Sequence, residues 1–358
     1  MPRVSVLMVA RNTEAYINEA IASIVQQTFS DWELIAIDDG SDDGTFAQMQ
    51  SWCGRDHRIK AYRHRINQGL GVVRRQSLEL ASAPYAAVLD SDDVAESDWL
   101  ARHVAVLDNR PSVVAISSAR VLIDEHGRKV GLHSESDPPE VVRWRLLFGN
   151  PVSHSSSVFR IQAAKEAGGY GIADCAEDWA LFQRLARLGE ILLDDKAAVR
   201  FRLHASSQTR SGFNSRSNIE SHVAHCISEQ CSFELGLKCP AELGWYLFRE
   251  RPPFPGSRSL ADSAVEFVLK TAALFLRRDE CVQPSSRLAS AIIADIANVR
   301  RCSPRGIVQL AGDARRVWDL FRPTQFDPRV AIALLKLAST PIRAYQARIL
   351  ARRQRFAN

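Results

Sequence analysis

The chain lacks the signatures of several common protein classes. Its 358 residues include seven cysteines (Cys53, Cys175, Cys226, Cys231, Cys239, Cys281 and Cys302), an odd number with no Cys-x-x-Cys spacing. That argues against a disulfide framework or a zinc site and fits free thiols in a reducing, cytoplasmic compartment. No run of about 18 apolar residues occurs, so no membrane span is expected. The first apolar stretch begins at Val4 and reads as a strand rather than a secretory leader. No Gly-x-Ser-x-Gly elbow surrounds Ser155, Ser156 or Ser157, which leaves them no case as nucleophiles. There is no Walker-A loop, and Gly69-Leu70-Gly71 lacks the third glycine of a dinucleotide fingerprint. His57, His64 and His103 are scattered without metal-ligand spacing, and no repeat or long low-complexity tract is present.

What the sequence does have is ordinary globular material, 46% hydrophobic and 24% charged, enough for one large or two modest domains. Its most informative feature is an apolar strand over Tyr85–Leu89 that runs into Asp90, Asp92 and Asp93. Three carboxylates in four residues repel one another unless something positive sits among them. A hard divalent cation is the natural partner, since Mg²⁺ binds through one or two carboxylates plus substrate phosphates. The competing reading is a solvated acidic turn. Upstream, Val4–Ala10 and Trp32–Ile37 read as buried strands, the second ending in the acidic turn 38–43. A third strand spans Arg58 to Tyr62. Helical patterns over Ala20–Val25 and Val72–Leu80 alternate with these strands, predicting an α/β fold with a doubly wound, mostly parallel sheet. In such sheets ligands bind outside the carboxyl ends of the strands, and both acidic turns fall on that rim.

The chain resembles the family 2 glycosyltransferases of GT-A fold. The resemblance rests on residues 5–12, Gln27-Thr28-Phe29, Asp38-Asp39-Gly40-Ser41, Asn67 with Gly69, and Leu89–Asp93. It continues through Asn150-Pro151, His154–Arg160, Gly168-Gly169-Tyr170, Glu177-Asp178-Trp179 and Phe201–His204. It implies a nucleotide-sugar site formed by Ala10, Asn12, Asp39, Arg74, Asp90 and Ser91, with Asp39 reading the base. It also implies a DXD motif at Asp90-Ser91-Asp92 whose last aspartate holds Mg²⁺ or Mn²⁺. Asp93 leaves that register open by one residue, so Asp92 and Asp93 are both candidate ligands, with His204 near the diphosphate or its metal. Asp178 matches the family's general base, although local sequence alone favours a first-turn helix acid. His154, Glu177 and Arg202 are expected along the donor–acceptor cleft, against a purely structural role for His154. The sequence departs from the family pattern at Arg75, Ser77 and Phe201, and in Val9–Asn12 after the first strand.

The chemistry follows from those groups. Departure of a nucleoside diphosphate requires its charge to be neutralised, and the acceptor hydroxyl must lose a proton to a base. One base opposite the leaving group gives inversion; retention would need a second, nucleophilic carboxylate, for which Glu177 is the candidate. The expectation is a metal-dependent inverting transferase. It would move sugar from a UDP-sugar to a hydroxyl of a glycan or lipid-linked acceptor, as in cell-surface polysaccharide synthesis. The alternatives are a nucleotidyltransferase, which would need a Gly-rich basic loop after the first strand, or a non-catalytic sugar-nucleotide or glycan-binding module.

The resemblance implies a GT-A catalytic domain over residues 1–210, followed by a helical extension over 211–358. Helices are expected at about 218–235, 259–276, 285–299, 307–320 and 328–353. Residues 301–358 hold 12 Lys/Arg against 3 Asp/Glu in a chain of net charge +5. This basic stretch is expected either to pack as an ordinary surface helix or to make peripheral contact with anionic lipid. No nucleic acid partner is expected, because the catalytic half has no matching basic stripe.

Overall fold

A computed structural model of the chain describes residues 1–171, 176–205, 216–248, 258–278 and 285–300, with scattered positions from 312 to 320. The chain divides into two compact units, Met1–Cys226 and Ile227–Asn358.

The first unit is built on one sheet. Its strands are β1 (Val4–Ala10), β2 (Trp32–Asp39), β3 (Ile59–His64), β4 (Tyr85–Val88), β5 (Val94–Ala95), β6 (Val113–Ile123), β7 (Lys129–His133), β8 (Val158–Arg160) and β9 (Glu190–Arg202). Their spatial order is β3-β2-β1-β4-β8-β6-β9-β5, with β7 paired to β6. The strands from β3 to β4 are all parallel. Every residue of β2 is buried, as expected of a strand covered on both faces. On the covering helix α1 (Ile17–Val25), Ile17, Ala20, Ile21 and Ile24 form the buried stripe, one face of a 3.6-residue repeat. A buried carboxylate is tolerated among these strands because it is fully partnered. Glu33 on β2 accepts from Ser5 and Ser82 and pairs with Lys60 at 2.7 Å. Burial opposes its ionisation, yet these partners hold it down at about 2.

Beyond β4 the sheet becomes mixed. β8 runs antiparallel to both β4 and β6, β9 runs parallel to β6, and β5 runs antiparallel to β9. The β6–β9 register jumps, Ser118 facing Asp194 and Arg120 facing Val199. After that bulge β9 pairs with β5 through Ala95–Val199 and Val94–Arg200. The end of β9 is thereby delivered beside the turn that links β4 to β5.

The remaining helices of the first unit are α2 (Thr45–Cys53), α3 (Leu70–Leu80), α4 (Trp99–Asn109), α5 (Pro139–Leu146), α6 (Ile161–Glu166) and α7 (Glu177–Leu185). After β9 the described residues contain helices and no strand: α8 (Arg216–Leu235), α9 (Ala241–Leu247), α10 (Arg258–Arg278) and α11 (Ser286–Arg300). Three of these lie where sequence periodicity puts them; the short α9 was not expected. The helices expected over 307–320 and 328–353, with the basic stretch, lie outside the described residues apart from scattered positions. Among the described residues no helix is long and apolar enough to cross a membrane.

One glycine is fixed by geometry at the β2 rim. Gly40 has φ +72°, and a Cβ there would lie 2.7 Å from the Asn67 nitrogen and 2.8 Å from the Ile66 carbonyl carbon. Both neighbours are backbone and cannot swing aside. Gly40→Ala should therefore destabilise the fold by about 1–3 kcal/mol. Denaturant unfolding reads this directly, and an unchanged midpoint would contradict the tight approach of the two loops.

Candidate active site

The parallel strands place their carboxyl ends on one rim, and the loops there are laced together. Asp38 is fully buried, accepts from the Ser41 N–H and hydroxyl, and lies 3.1 Å from the Arg63 guanidinium. Asp39 is 3% exposed and accepts the Gln68 N–H at 2.8 Å and the Gly69 N–H at 3.2 Å. Asn12 adopts φ +51°, donates its N–H to Ser41 Oγ and accepts the Asp42 N–H at 2.9 Å. Ala10 is buried beneath them. Asn12 and Asp39 thus join the loops after β1, β2 and β3 into one edge.

The acidic turn after β4 sorts its carboxylates. Asp93 points inward and is 0% exposed. One of its oxygens accepts the Arg202 N–H at 2.9 Å and the other accepts the Ser155 hydroxyl. The same Ser155 oxygen accepts the Asp90 N–H at 3.1 Å. Burial, with Asp92 and Asp90 nearby, pushes the Asp93 carboxyl well above the usual carboxylate range. Asp93 is therefore a strut, fully buried and partnered on both oxygens. Ser91 is buried as well. Asp92 faces out, its Oδ2 lying 2.8 Å from His204 Nε2, and the His204 ring packs on Tyr16 with centroids 4.9 Å apart.

Arg202 does not line the cleft as expected. It is 2% exposed, donates from Nε to the Asp92 carbonyl at 2.9 Å and pairs with Glu19 at 2.6 Å. Its guanidinium also sits over the Tyr16 ring. From β9 it clamps the acidic turn against α1.

A second cluster joins α3 to the start of α7. Arg74 pairs with the buried Glu177 and lies 3.4 Å from Asp90. Burial, with Asp178 beside it, pushes Glu177 up to about 7 even though Arg74 favours its charged form. Glu177 is thus committed to an internal pair and is not presented to the cleft. Asp178 is half-buried. It accepts the Trp179 N–H at 2.7 Å on one oxygen and the Asn150 amide at 3.1 Å on the other. His154 is likewise buried. Its Nε2 lies 2.9 Å from the Tyr170 hydroxyl, its ring meets Tyr170 and Phe182 edge-on, and burial pushes it well below its ordinary range. It is a neutral packing residue.

The donor set at Asp92 suits a hard cation. A carboxylate oxygen and an imidazole nitrogen 2.8 Å apart can both face one ion, with phosphate oxygens and water completing its shell. Among the described residues no group of three or more His, Cys, Asp and Glu forms a closed metal cage.

The sequence model for Glycosyl transferase family 2 matches residues 5–183. The chain belongs to this family. It is 29% identical over 231 residues to an uncharacterised glycosyltransferase of Haemophilus influenzae, an alignment covering 61% of this chain and 70% of that one. It is 36% identical over 98 residues to the Escherichia coli UDP-Glc:alpha-D-GlcNAc-diphosphoundecaprenol beta-1,3-glucosyltransferase WfgD, covering 27% of this chain and 29% of the relative. Among solved structures it is similar to S. aureus TarS 1–349 in complex with UDP-GlcNAc, with TM-score 0.57, 17% identity and 90% of each chain covered. At that identity the likeness is one of fold, and it agrees with the GT-A-type sheet described above. This family 2 chain is an enzyme, a glycosyltransferase.

Sequence reasoning placed Asp92, His204 and Asp178 at the rim but assigned no role to Ser155, Glu19, Tyr16 or Asn150. Their partners lie far off in sequence, so no local spacing marks them. The Glu177 pair has a measurable consequence. Between its ordinary value of 4.5 and about 7, the folded state holds a proton that the unfolded chain has lost. Stability must fall as pH rises through that window. Glu177→Gln should flatten this part of the pH–stability curve; parallel curves for the two proteins would contradict the buried placement.

Proposed function

We propose that this glycosyltransferase moves a sugar from a UDP-sugar to a hydroxyl of a glycan or lipid-linked acceptor, with inversion, in the assembly of a cell-surface polysaccharide. The observation that carries the proposal is the division among the carboxylates. Asp92 is paired with His204, Asp178 is held by two N–H donors, and Asp90 is within electrostatic reach of both. The E. coli relative is named for a UDP-glucose donor and a lipid-diphosphate acceptor, and the TarS neighbour holds UDP-GlcNAc; both support the donor class.

In this reading Ala10, Asn12 and Asp39 form the base end of the donor site, and Arg74, Asp90 and Ser91 back its ribose and phosphates. A divalent cation, Mg²⁺ or Mn²⁺, held by Asp92 and His204, would neutralise charge on the leaving diphosphate. Asp93 is left out of that set because it is fully buried inside the turn. Asp178 accepts the proton of the acceptor hydroxyl. Retention would need a second carboxylate at the anomeric carbon, and Glu177 is committed to Arg74, which favours a single displacement. Nucleotidyl transfer is disfavoured because Val9–Asn12 offers no Gly-rich phosphate loop. The basic stretch 301–358 is proposed to hold the enzyme against anionic lipid. Removing residues 326–358 should then reduce sedimentation with anionic vesicles, and unchanged sedimentation would dispose of that contact.

Asp178→Asn should bind UDP-sugar as the wild type does but lose about 10²–10⁴ in turnover. Asp92→Ala should lose the metal-dependent part of donor affinity. Near-normal turnover in the first variant would remove Asp178 as base, and unchanged metal dependence in the second would remove Asp92 as ligand.

A further inference from the structure

Asn150 lies in the segment between α5 and β8, 28 residues before Asp178. Its side-chain amide is used at both ends. The Oδ1 accepts the Val152 N–H at 3.1 Å, and the Nδ2 donates to Asp178 Oδ2 at 3.1 Å. The first bond fixes the orientation of the amide, because a flipped Asn150 would set its oxygen against the Asp178 carboxylate and its NH₂ against the Val152 N–H. The other Asp178 oxygen accepts the Trp179 N–H. Each oxygen therefore keeps unused lone pairs while the plane of the carboxylate is set from two directions.

The end of α5, four residues before Asn150, is itself tied to α7. The Leu146 carbonyl accepts both the Trp179 indole N–H at 2.9 Å and the Gln183 amide at 2.8 Å. Without Asn150 those bonds remain, so α7 would stay docked while the Asp178 side chain lost one of its two anchors. Around Asp178, Glu177 precedes it, Asp90 and Arg74 act on it electrostatically, and the neutral Tyr170 phenol is nearby. Asn150 supplies a neutral side-chain donor to Asp178 itself.

We propose that Asn150 is a positioning residue for the Asp178 carboxylate, holding it in the orientation that receives the acceptor proton. The proposal rests on Asp178 being the base. Two substitutions separate positioning from structure. Asn150→Ala removes both bonds. Asn150→Asp keeps an acceptor for the Val152 N–H but turns a carboxylate oxygen toward Asp178. The readouts are UDP release from UDP-glucose and UDP-N-acetylglucosamine with Mn²⁺ present, and thermal melts from pH 4 to 8.

Asn150→Ala should lower kcat about ten- to a hundredfold with little change in KM for the UDP-sugar, the scale expected when a reacting group is misaligned. Asn150→Asp should be at least as impaired although its loop bond survives. The acid limb of its rate–pH profile should move to higher pH through like-charge repulsion. For the same reason its melting temperature should fall, relative to that of Asn150→Ala, as pH rises through the carboxylate range. A normal kcat in Asn150→Asp, or melts of the two variants that run parallel with pH, would overturn the proposal. If Asp178→Asn is inactive while Asn150→Asp is normal, only the positioning role falls. If Asp178→Asn is itself active, the base assignment falls first.

Discussion

The site depends on a carboxylate that can never meet substrate. Asp93 is fully buried, and an unpaired charge there would cost several kcal/mol. Its partners come from two distant stretches of chain, Ser155 62 residues away and Arg202 109 residues away. Satisfying Asp93 therefore requires the segment before β8 and the end of β9 to converge on the turn after β4. Once they do, Ser155 fixes the Asp90 backbone and Arg202 holds the Asp92 carbonyl. The placement of the two half-buried aspartates follows from burying the third.

The same constraint sets the electrostatics of the rim. Asp93, Asp90, Asp92, Glu177 and Asp178 concentrate negative charge, and the fold answers it only in part. Arg74 sits between Glu177 and Asp90, while Arg202 is spent on Glu19 and backbone carbonyls. The raised values at Asp93 and Glu177 record burial first, with the remaining repulsion added to it. Asp90 and Asp92 stay partly accessible, and in the proposed function a cation held by Asp92 and His204 would answer the remaining charge. A family 2 glycosyltransferase that binds a diphosphate at such a rim needs that charge balance, because phosphate and carboxylates would otherwise repel one another.

The parallel half of the sheet was legible because β1, β2 and β4 are short apolar runs ended by turn signals, and a strand that ends in acids announces its rim. Helix α1 was legible from its four-residue stripe. The antiparallel half was not, since β9 carries Asp194, Asp195 and Lys196 at its bulge and β5 and β8 are two and three residues long. Local pattern cannot find a strand whose pairing is set by register with β6. Within the site, the sequence could name the acids but not sort them. Asp92 and Asp93 are adjacent and chemically identical, and what separates them is which one meets Ser155 and the Arg202 backbone. Glu177 and Asp178 divide for the same reason, one facing Arg74 and the other Asn150. His154 and Arg202 are cleft candidates by motif, with a structural role weighed for His154; both are buried and bonded within the framework here, since a polar residue in a motif serves the framework as readily as the substrate.

The central claim is that this rim binds a nucleoside diphosphate through a cation. The most direct test is the melting temperature of the full chain against UDP, with Mn²⁺ present and with Mn²⁺ replaced by chelator. A ligand that binds only the folded protein must raise it. The account predicts a rise that grows with UDP concentration and is lost with chelator. The same rise with and without metal, or none at saturating UDP and Mn²⁺, would contradict it.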